Sequence, residues 1–195
     1  MDTAHRDALA RELRRALTSA CPGSRTDLSG SLARGTADVF SDVDLRWTVP
    51  DDEFADAVAG LTGVLEQVWP VATVRTQESA QRWRVLASFR DLPLFWQLDL
   101  DVRAESCPDD AAVDEPPAAS ALADGIATVR AVLRGQPATA VSLLDRALIN
   151  VKSEATATGQ WREDIARLAA AAAELDPEAR EPADELVTLA TEYLH

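Results

Sequence analysis

The chain has 195 residues, 47% of them apolar and 27% charged, enough to bury a core as one domain or two small ones. Its formal net charge of −14 has the wrong sign for holding nucleic-acid phosphates, which disfavours polymerase or tRNA-directed chemistry and suits a cationic small ligand instead. There is no apolar run of about 18 residues to cross a bilayer, and the polar start Met1–Asp7 lacks the core of a signal peptide, so a cytoplasmic protein without membrane contact is expected.

Cys21 and Cys107 are too few for a disulfide framework or a thiolate metal site, and two reduced thiols are expected. The histidines, His5 and His195, lie near the chain ends, which disfavours histidine acid–base chemistry and a zinc site.

In chain order, Asp2–Ala20 carries a leucine stripe at Leu9, Leu13 and Leu17 and is expected as an amphipathic helix, ended by Cys21-Pro22-Gly23. Ser24–Leu28 is a short strand feeding a turn at Gly30-Ser31. Gly30 lets the backbone turn closely, Ser31 offers a hydroxyl and an amide to a phosphate, and Leu32-Ala33-Arg34 opens a short helix. Arg34 either reaches a triphosphate or ties the turn to a carboxylate, and Asp38 is expected as a solvated loop residue.

Ser41-Asp42-Val43-Asp44-Leu45 then opens the strand Leu45–Val49. Side chains at i and i+2 of a strand share a face, so Asp42 and Asp44 point the same way. Two adjacent carboxylates repel each other, and a divalent cation relieves them; Mg²⁺ favours a few carboxylates together with phosphate oxygens. A phosphate cradle followed by a metal clamp reads as a site for a nucleoside triphosphate.

Pro50-Asp51-Asp52 precedes a helix over Glu53–Val68, with the two aspartates as helix N-terminal charges. A strand at Val71–Thr76 follows, then a β-hairpin whose arms are Trp83–Phe89 and Leu94–Val102. In the second arm Asp99 and Asp101 alternate with Leu98, Leu100 and Val102, so both face one side. Carboxylates amid so much apolar sequence are costly without a partner.

Glu105–Pro117 is an acidic, proline-containing linker, with a boundary near residue 110 separating 1–110 from 111–195. The second part reads as helices near 119–134, 137–156, 160–175 and 178–194, a small antiparallel bundle. Lys152 is its only lysine, in a chain with 18 arginines, and a solvent-facing role is the preferred reading. Trp161 is expected in packing rather than in stacking on a ligand.

The run Gly30-Ser31-x-Ala33-Arg34-Gly35, a short gap and Ser41-Asp42-x-Asp44-Leu45 resemble the signature of the DNA polymerase β-like nucleotidyltransferase superfamily. Within it the chain is most similar to small bacterial aminoglycoside and lincosamide nucleotidyltransferases. The resemblance implies an α+β fold, a nucleotidyltransferase-type mixed sheet with flanking helices followed by a C-terminal helical bundle. It also implies a third carboxylate on a neighbouring strand, which completes the metal site and can accept the proton of the attacking hydroxyl. Asp99, deeper in its strand, is preferred for this role and Asp101 is the alternate.

On that footing Asp42, Asp44 and Asp99 hold Mg²⁺, while Gly30, Ser31 and Arg34 steady the phosphates of ATP or another NTP. In related enzymes a basic residue of the helical part reaches the phosphates, a role open to Lys152 with Arg146 or Asn150 nearby. The implied reaction is attack by a hydroxyl of a small, possibly cationic molecule on the α-phosphate, with AMP as the transferred group and the acceptor between the two parts. Two alternatives stand beside it: a minimal nucleotidyltransferase antitoxin with a helical toxin as partner, and a nucleotide-binding pseudoenzyme.

Overall fold

The structure, a computed structural model, describes residues 3–109, 111 and 115–194. The helix start expected at Asp2, part of the expected linker and His195 lie outside the described residues. The chain divides into two compact units, Met1–Asp114 and Glu115–His195.

The first unit runs α1 (Thr3–Ala20), β1 (Arg25–Leu28), α2 (Gly30–Arg34), β2 (Val43–Val49), α3 (Phe54–Val68), β3 (Val71–Glu78), β4 (Arg82–Phe89) and β5 (Leu98–Ala104). The strands form one sheet in the order β1-β2-β5-β4-β3. Only β2 and β5 are parallel; every other pair is antiparallel. Parallel neighbours need a long crossover, and α3, β3 and β4 supply it here.

Strand alternation gives this sheet two unlike faces. Val43, Leu45, Trp47 and Val49 of β2 and Leu98, Leu100 and Val102 of β5 are fully buried. They share a core with Leu9, Leu13 and Leu17 of α1 and Leu61 and Leu65 of α3. Each such leucine contributes about 1.5–3 kcal/mol by leaving water, so the leucine spacing of the two helices selects the face they cover. Trp47 keeps its indole N–H satisfied by donating to Ser24 Oγ at 2.9 Å. The opposite face carries the charged residues of β2, β4 and β5.

The second arm of the expected hairpin begins later than its apolar run suggests. Leu94–Trp96 forms a 3-10 turn after Pro93, with Trp96 N donating to Pro93 O at 2.8 Å, and β5 starts at Leu98. An apolar run without alternation leaves its local conformation open, and burial of Phe95 and Trp96 decides it here.

The second unit consists of α4 (Pro117–Leu133), α5 (Pro137–Asn150), α6 (Trp161–Leu175), a 3-10 turn at Pro177–Ala179 and α7 (Arg180–Tyr193). Leu122, Val129, Leu144, Leu148, Ile165, Leu168, Leu186 and Leu189 fill its interior. The chain is thus α+β, a mixed sheet with flanking helices followed by a helical bundle, as expected from the sequence.

Helix α5 stops at Asn150 rather than near 156. Lys152 takes a left-handed backbone (φ 58°), and Ser153 N bonds back to Leu148 O at 2.9 Å, closing the helix. The residues beyond find carboxylates instead of a helical ladder. Ala157 N donates to Asp145 at 2.7 Å, and Thr158 N and Gly159 N donate to Asp164 Oδ2 at 2.8 and 3.0 Å. No helix among the described residues is long and apolar enough to cross a membrane.

Candidate functional site

The charged sheet face is assembled from neighbouring strands whose register aligns like positions. Asp44 of β2 lies directly opposite Asp99 of β5, and Arg46 lies opposite Asp101. Across β5, Asp99 faces Leu86 and Asp101 faces Arg84. Asp42 lies one residue before β2, just ahead of the strand whose alternation puts Asp44 on this face.

The turn ahead of β2 is pressed onto this acid. Ser29 N donates to Asp44 O at 3.0 Å, fixing the turn to the strand. Gly30 has φ +54°, and a Cβ there would stand 1.9 Å from Asp44 Oδ2 and 2.5 Å from its Cγ. Glycine is therefore required both by the backbone conformation and by the carboxylate beside it. Helix α2 closes at Gly35 (φ 66°), with Thr36 N donating to Ser31 O at 3.0 Å. Ser31 Oγ is buried without a hydrogen-bond partner. A buried hydroxyl left so is costly, and a phosphate oxygen satisfies it well.

The loop before Asp42 is pinned rather than solvated. Asp38 Oδ1 accepts from Phe40 N and from Ser41 Oγ, each at 3.0 Å, and Ser41 Oγ accepts from Asp38 N at 3.0 Å. Arg6 of α1, only 2% exposed, donates to Asp38 O, and Trp96 Nε1 donates to Val39 O at 3.2 Å. Phe40 meets Phe95 edge-on at 5.4 Å. Asp38 is a turn residue, as expected, half-buried, and it organises the loop through these bonds.

The two candidate third acids have different surroundings. Asp99 accepts a forked pair of bonds from Arg84, at 2.8 and 3.2 Å. Asp101 is the counter-ion of three arginines: Arg82 at 2.7 Å, the buried Arg103 at 2.8 Å and Arg46 at 3.4 Å. With its charge committed so fully, Asp101 is the keystone of an ion network that spans β2, β5 and β4. Asp99 is held by the Arg84 guanidinium and stands next to Asp44 in register.

Register brings Asp44 and Asp99 together, yet the side chains do not close a cage. Among the described residues no group of three or more His, Cys, Asp or Glu side chains is gathered to hold a metal ion. Asp42 and Asp44 offer hard carboxylate oxygens, and Asp44 lies against Gly30, the neighbour of Ser31 with its buried orphan hydroxyl, which is the right chemistry for a divalent cation carrying phosphate. Asp99 is engaged by the forked pair of bonds from Arg84.

Arg34 is exposed in the last turn of α2. Lys152 is exposed after the end of α5, in the other unit, and Arg146 on α5 makes a forked pair with Asp124 at 2.8 and 2.5 Å. Both cysteines are free thiols; burial pushes the Cys21 thiol up, with the Glu53 carboxylate adding to it.

The arginines of β4 went unremarked in the sequence, although Arg82 and Arg84 alternate on one arm as Asp99 and Asp101 do on the other. Matching those two alternations across the hairpin was the available signal. Arg6 gave no signal, since it lies outside the Leu9, Leu13 and Leu17 stripe and a charged side chain in that place is ordinarily exposed.

No protein-family model matches the chain, and no curated protein matches it. Among solved structures it is similar to Cid1, described for its RNA terminal uridylyl transferase activity, at 17% identity and a TM-score of 0.41, covering 72% of this chain and 39% of that one. It is also similar to the polymerase core of TRAMP, an RNA surveillance complex, at 14% identity and a TM-score of 0.44, covering 98% of this chain and 57% of that one. JHP933 from Helicobacter pylori is similar at 13% identity and a TM-score of 0.32, covering 95% of this chain and 97% of that one. The chain thus spans less than two thirds of the first two proteins and nearly the whole of the third, and all three likenesses are distant.

Proposed function

We propose that this chain is a divalent-metal-dependent nucleotidyltransferase that moves a nucleoside monophosphate, AMP from ATP, onto a hydroxyl of a small molecule. The observation that carries the reading is the direct register of Asp44 with Asp99 on adjacent parallel strands, with Gly30 packed against the Asp44 carboxylate. Asp42 and Asp44 are the residues that would hold Mg²⁺, with Asp99 as the third acid. When bound, the ion neutralises charge that develops on the phosphates.

In this reading Gly30 and the Ser31 hydroxyl receive the phosphate chain, and Arg34 supplies a positive charge near it. The acceptor oxygen bonds to the α-phosphorus as the bond to the bridging oxygen of the β-phosphate breaks, and pyrophosphate leaves. The acceptor's proton passes to the Asp99 carboxylate. Most of the barrier reduction comes from positioning and charge neutralisation, so neither cysteine nor histidine is needed. The net charge of −14 favours a cationic acceptor, of which aminoglycosides are one class.

The test is pyrophosphate release from labelled ATP and Mg²⁺ with a panel of aminoglycosides and lincosamides, with single-stranded RNA as a separate arm. Turnover with a small acceptor that disappears in Asp44→Asn supports the proposal. Turnover with RNA alone retains nucleotidyl transfer and rejects the small acceptor.

A second reading is favoured by one feature, the forked Arg84–Asp99 pair. If that pair persists with nucleotide present, the chain binds ATP without consuming it, as a pseudoenzyme. ATP binding without turnover in any arm selects this alternative.

A further inference from the structure

A groove of about 390 Å³ lies where α1 meets β1, the edge strand of the sheet, and is lined by Arg11, Arg14, Arg15, Thr18, Ser19 and Thr26. Three guanidinium groups and no carboxylate line it, on a chain whose formal charge is −14. Among the described residues none of these three arginines forms an ion pair, although Glu12 sits between them in sequence. Arg82, Arg84, Arg103 and Arg146, by contrast, all lie against carboxylates.

Arg14 is anchored at the groove wall, its Nη2 donating to Thr26 O at 2.9 Å, while its Nε is buried without a hydrogen-bond partner. Thr18 and Thr26 hydroxyls meet at 3.1 Å beside it. Like charges three and four residues apart on a helix are mutually unfavourable, and a bound anion offsets that cost. The groove is separate from the acid-bearing face. Thr26 is in register with Trp47, on the helix-covered side, whereas the next pair, Asp27 and Arg46, belongs to the opposite side.

We propose that this groove is a second ligand site, which takes a compact oligophosphate chain, whether inorganic or carried by a free nucleotide. Guanidinium forks match phosphate oxygens, and the Ser19 hydroxyl adds a neutral donor, while the Thr18 and Thr26 hydroxyls bond each other, Thr26 also bonds Arg14 O, and both hold the wall. Compactness follows from charge. Local attraction acts within roughly 8–10 Å at physiological salt, and beyond it the acidic remainder of the chain repels a long polyanion.

The experiment is calorimetric titration of the full chain with inorganic pyrophosphate and with ATP, in chelator and without divalent metal. The variants are Arg11→Gln, Arg15→Gln, their double and Asp44→Asn; Arg11 and Arg15 are exposed, so circular dichroism and melting should match the parent. Binding is expected to weaken about tenfold for each arginine removed and to be unchanged in Asp44→Asn. Equal binding of pyrophosphate and ATP marks the phosphate chain as the recognised part, and tighter binding of ATP marks the nucleotide as its source. Undiminished binding in the double variant, or loss in Asp44→Asn, overturns the proposal. So does affinity for single-stranded RNA that rises with length and displaces pyrophosphate. Since the Asp44→Asn arm separates the two sites, failure here leaves the nucleotidyl-transfer reading standing.

Discussion

Gly30 and Gly35 flank the same short helix and provide a matched pair of substitutions. Both have left-handed backbones, at φ +54° and +66°, so alanine at either position carries the same conformational penalty, about 1 kcal/mol. Their surroundings differ. Nothing lies within 4 Å of a Cβ at Gly35, whereas one at Gly30 stands 1.9 Å from Asp44 Oδ2 and 2.5 Å from Cγ. The Asp44 carboxylate must rotate away, and leaving its rotamer adds about 0.5–1.5 kcal/mol. Gly30→Ala should therefore cost about 2 kcal/mol and Gly35→Ala about 1 kcal/mol in urea unfolding followed by tryptophan fluorescence. The functional contrast is larger, because a shift of about 1 Å in a positioned group can lower a rate about a hundredfold. Calorimetric titration with Mg²⁺ and ATP should show near-parental affinity for Gly35→Ala and a severe loss for Gly30→Ala. Equal affinity in the two variants would refute the placement of nucleotide and metal at this turn.

Asp101→Asn leaves three arginines facing a neutral amide and should cost about 2 kcal/mol of stability, less than for a fully buried pair because Asp101 is partly exposed; chemical denaturation measures it. Asp44→Asn should leave stability within about 1 kcal/mol while abolishing metal-dependent ATP binding, so the two substitutions separate scaffold from site. Arg84→Gln frees Asp99 and should tighten Mn²⁺ binding, read by paramagnetic resonance; an unchanged affinity means Asp99 is no ligand. Because burial raises the Cys21 thiol above its ordinary value, its contribution to stability is complete at neutral pH, below the unfolded pKa. That contribution is lost as pH rises through the folded pKa, and Cys21→Ala should flatten the alkaline limb of a pH–stability profile. In the second unit, a Cβ at Gly125 would meet Leu186 at 2.5 Å and Leu168 at 3.0 Å, so Gly125→Ala should overpack the helices by about 1–3 kcal/mol in the same denaturation assay.

Most elements were legible because their signals were periodic. Leu9, Leu13 and Leu17 marked a helix, and the alternation about Asp99 and Asp101 marked a strand with a charged face. The apolar run Leu94-Phe95-Trp96 carried no period, so its 3-10 turn waited on tertiary burial. The end of α5 was hidden for a different reason. It is set by the left-handed Lys152 and the bond from Ser153 N to Leu148 O, and the segment beyond is held by Asp145 and Asp164 over sequence gaps of up to 12 residues, which a local window does not reveal. At the candidate site, spacing put Asp99 and Asp101 on one face of β5, but it did not reveal how differently the two are held. What distinguishes them is how many guanidinium groups each one answers, and that requires the register of three strands at once.

The strand order β1-β2-β5-β4-β3 places the last strand to leave the ribosome in the middle of the sheet. Until β5 arrives, the nascent chain holds two separate two-stranded pieces, each with an open edge able to pair with a neighbouring chain. Asp44 and Asp99, 55 positions apart in sequence, become neighbours only when that gap closes. Whatever chemistry the acid pair supports is therefore withheld from every copy whose synthesis stops before β5. An assay for the site doubles as a report on whether folding of the first unit has run to its end.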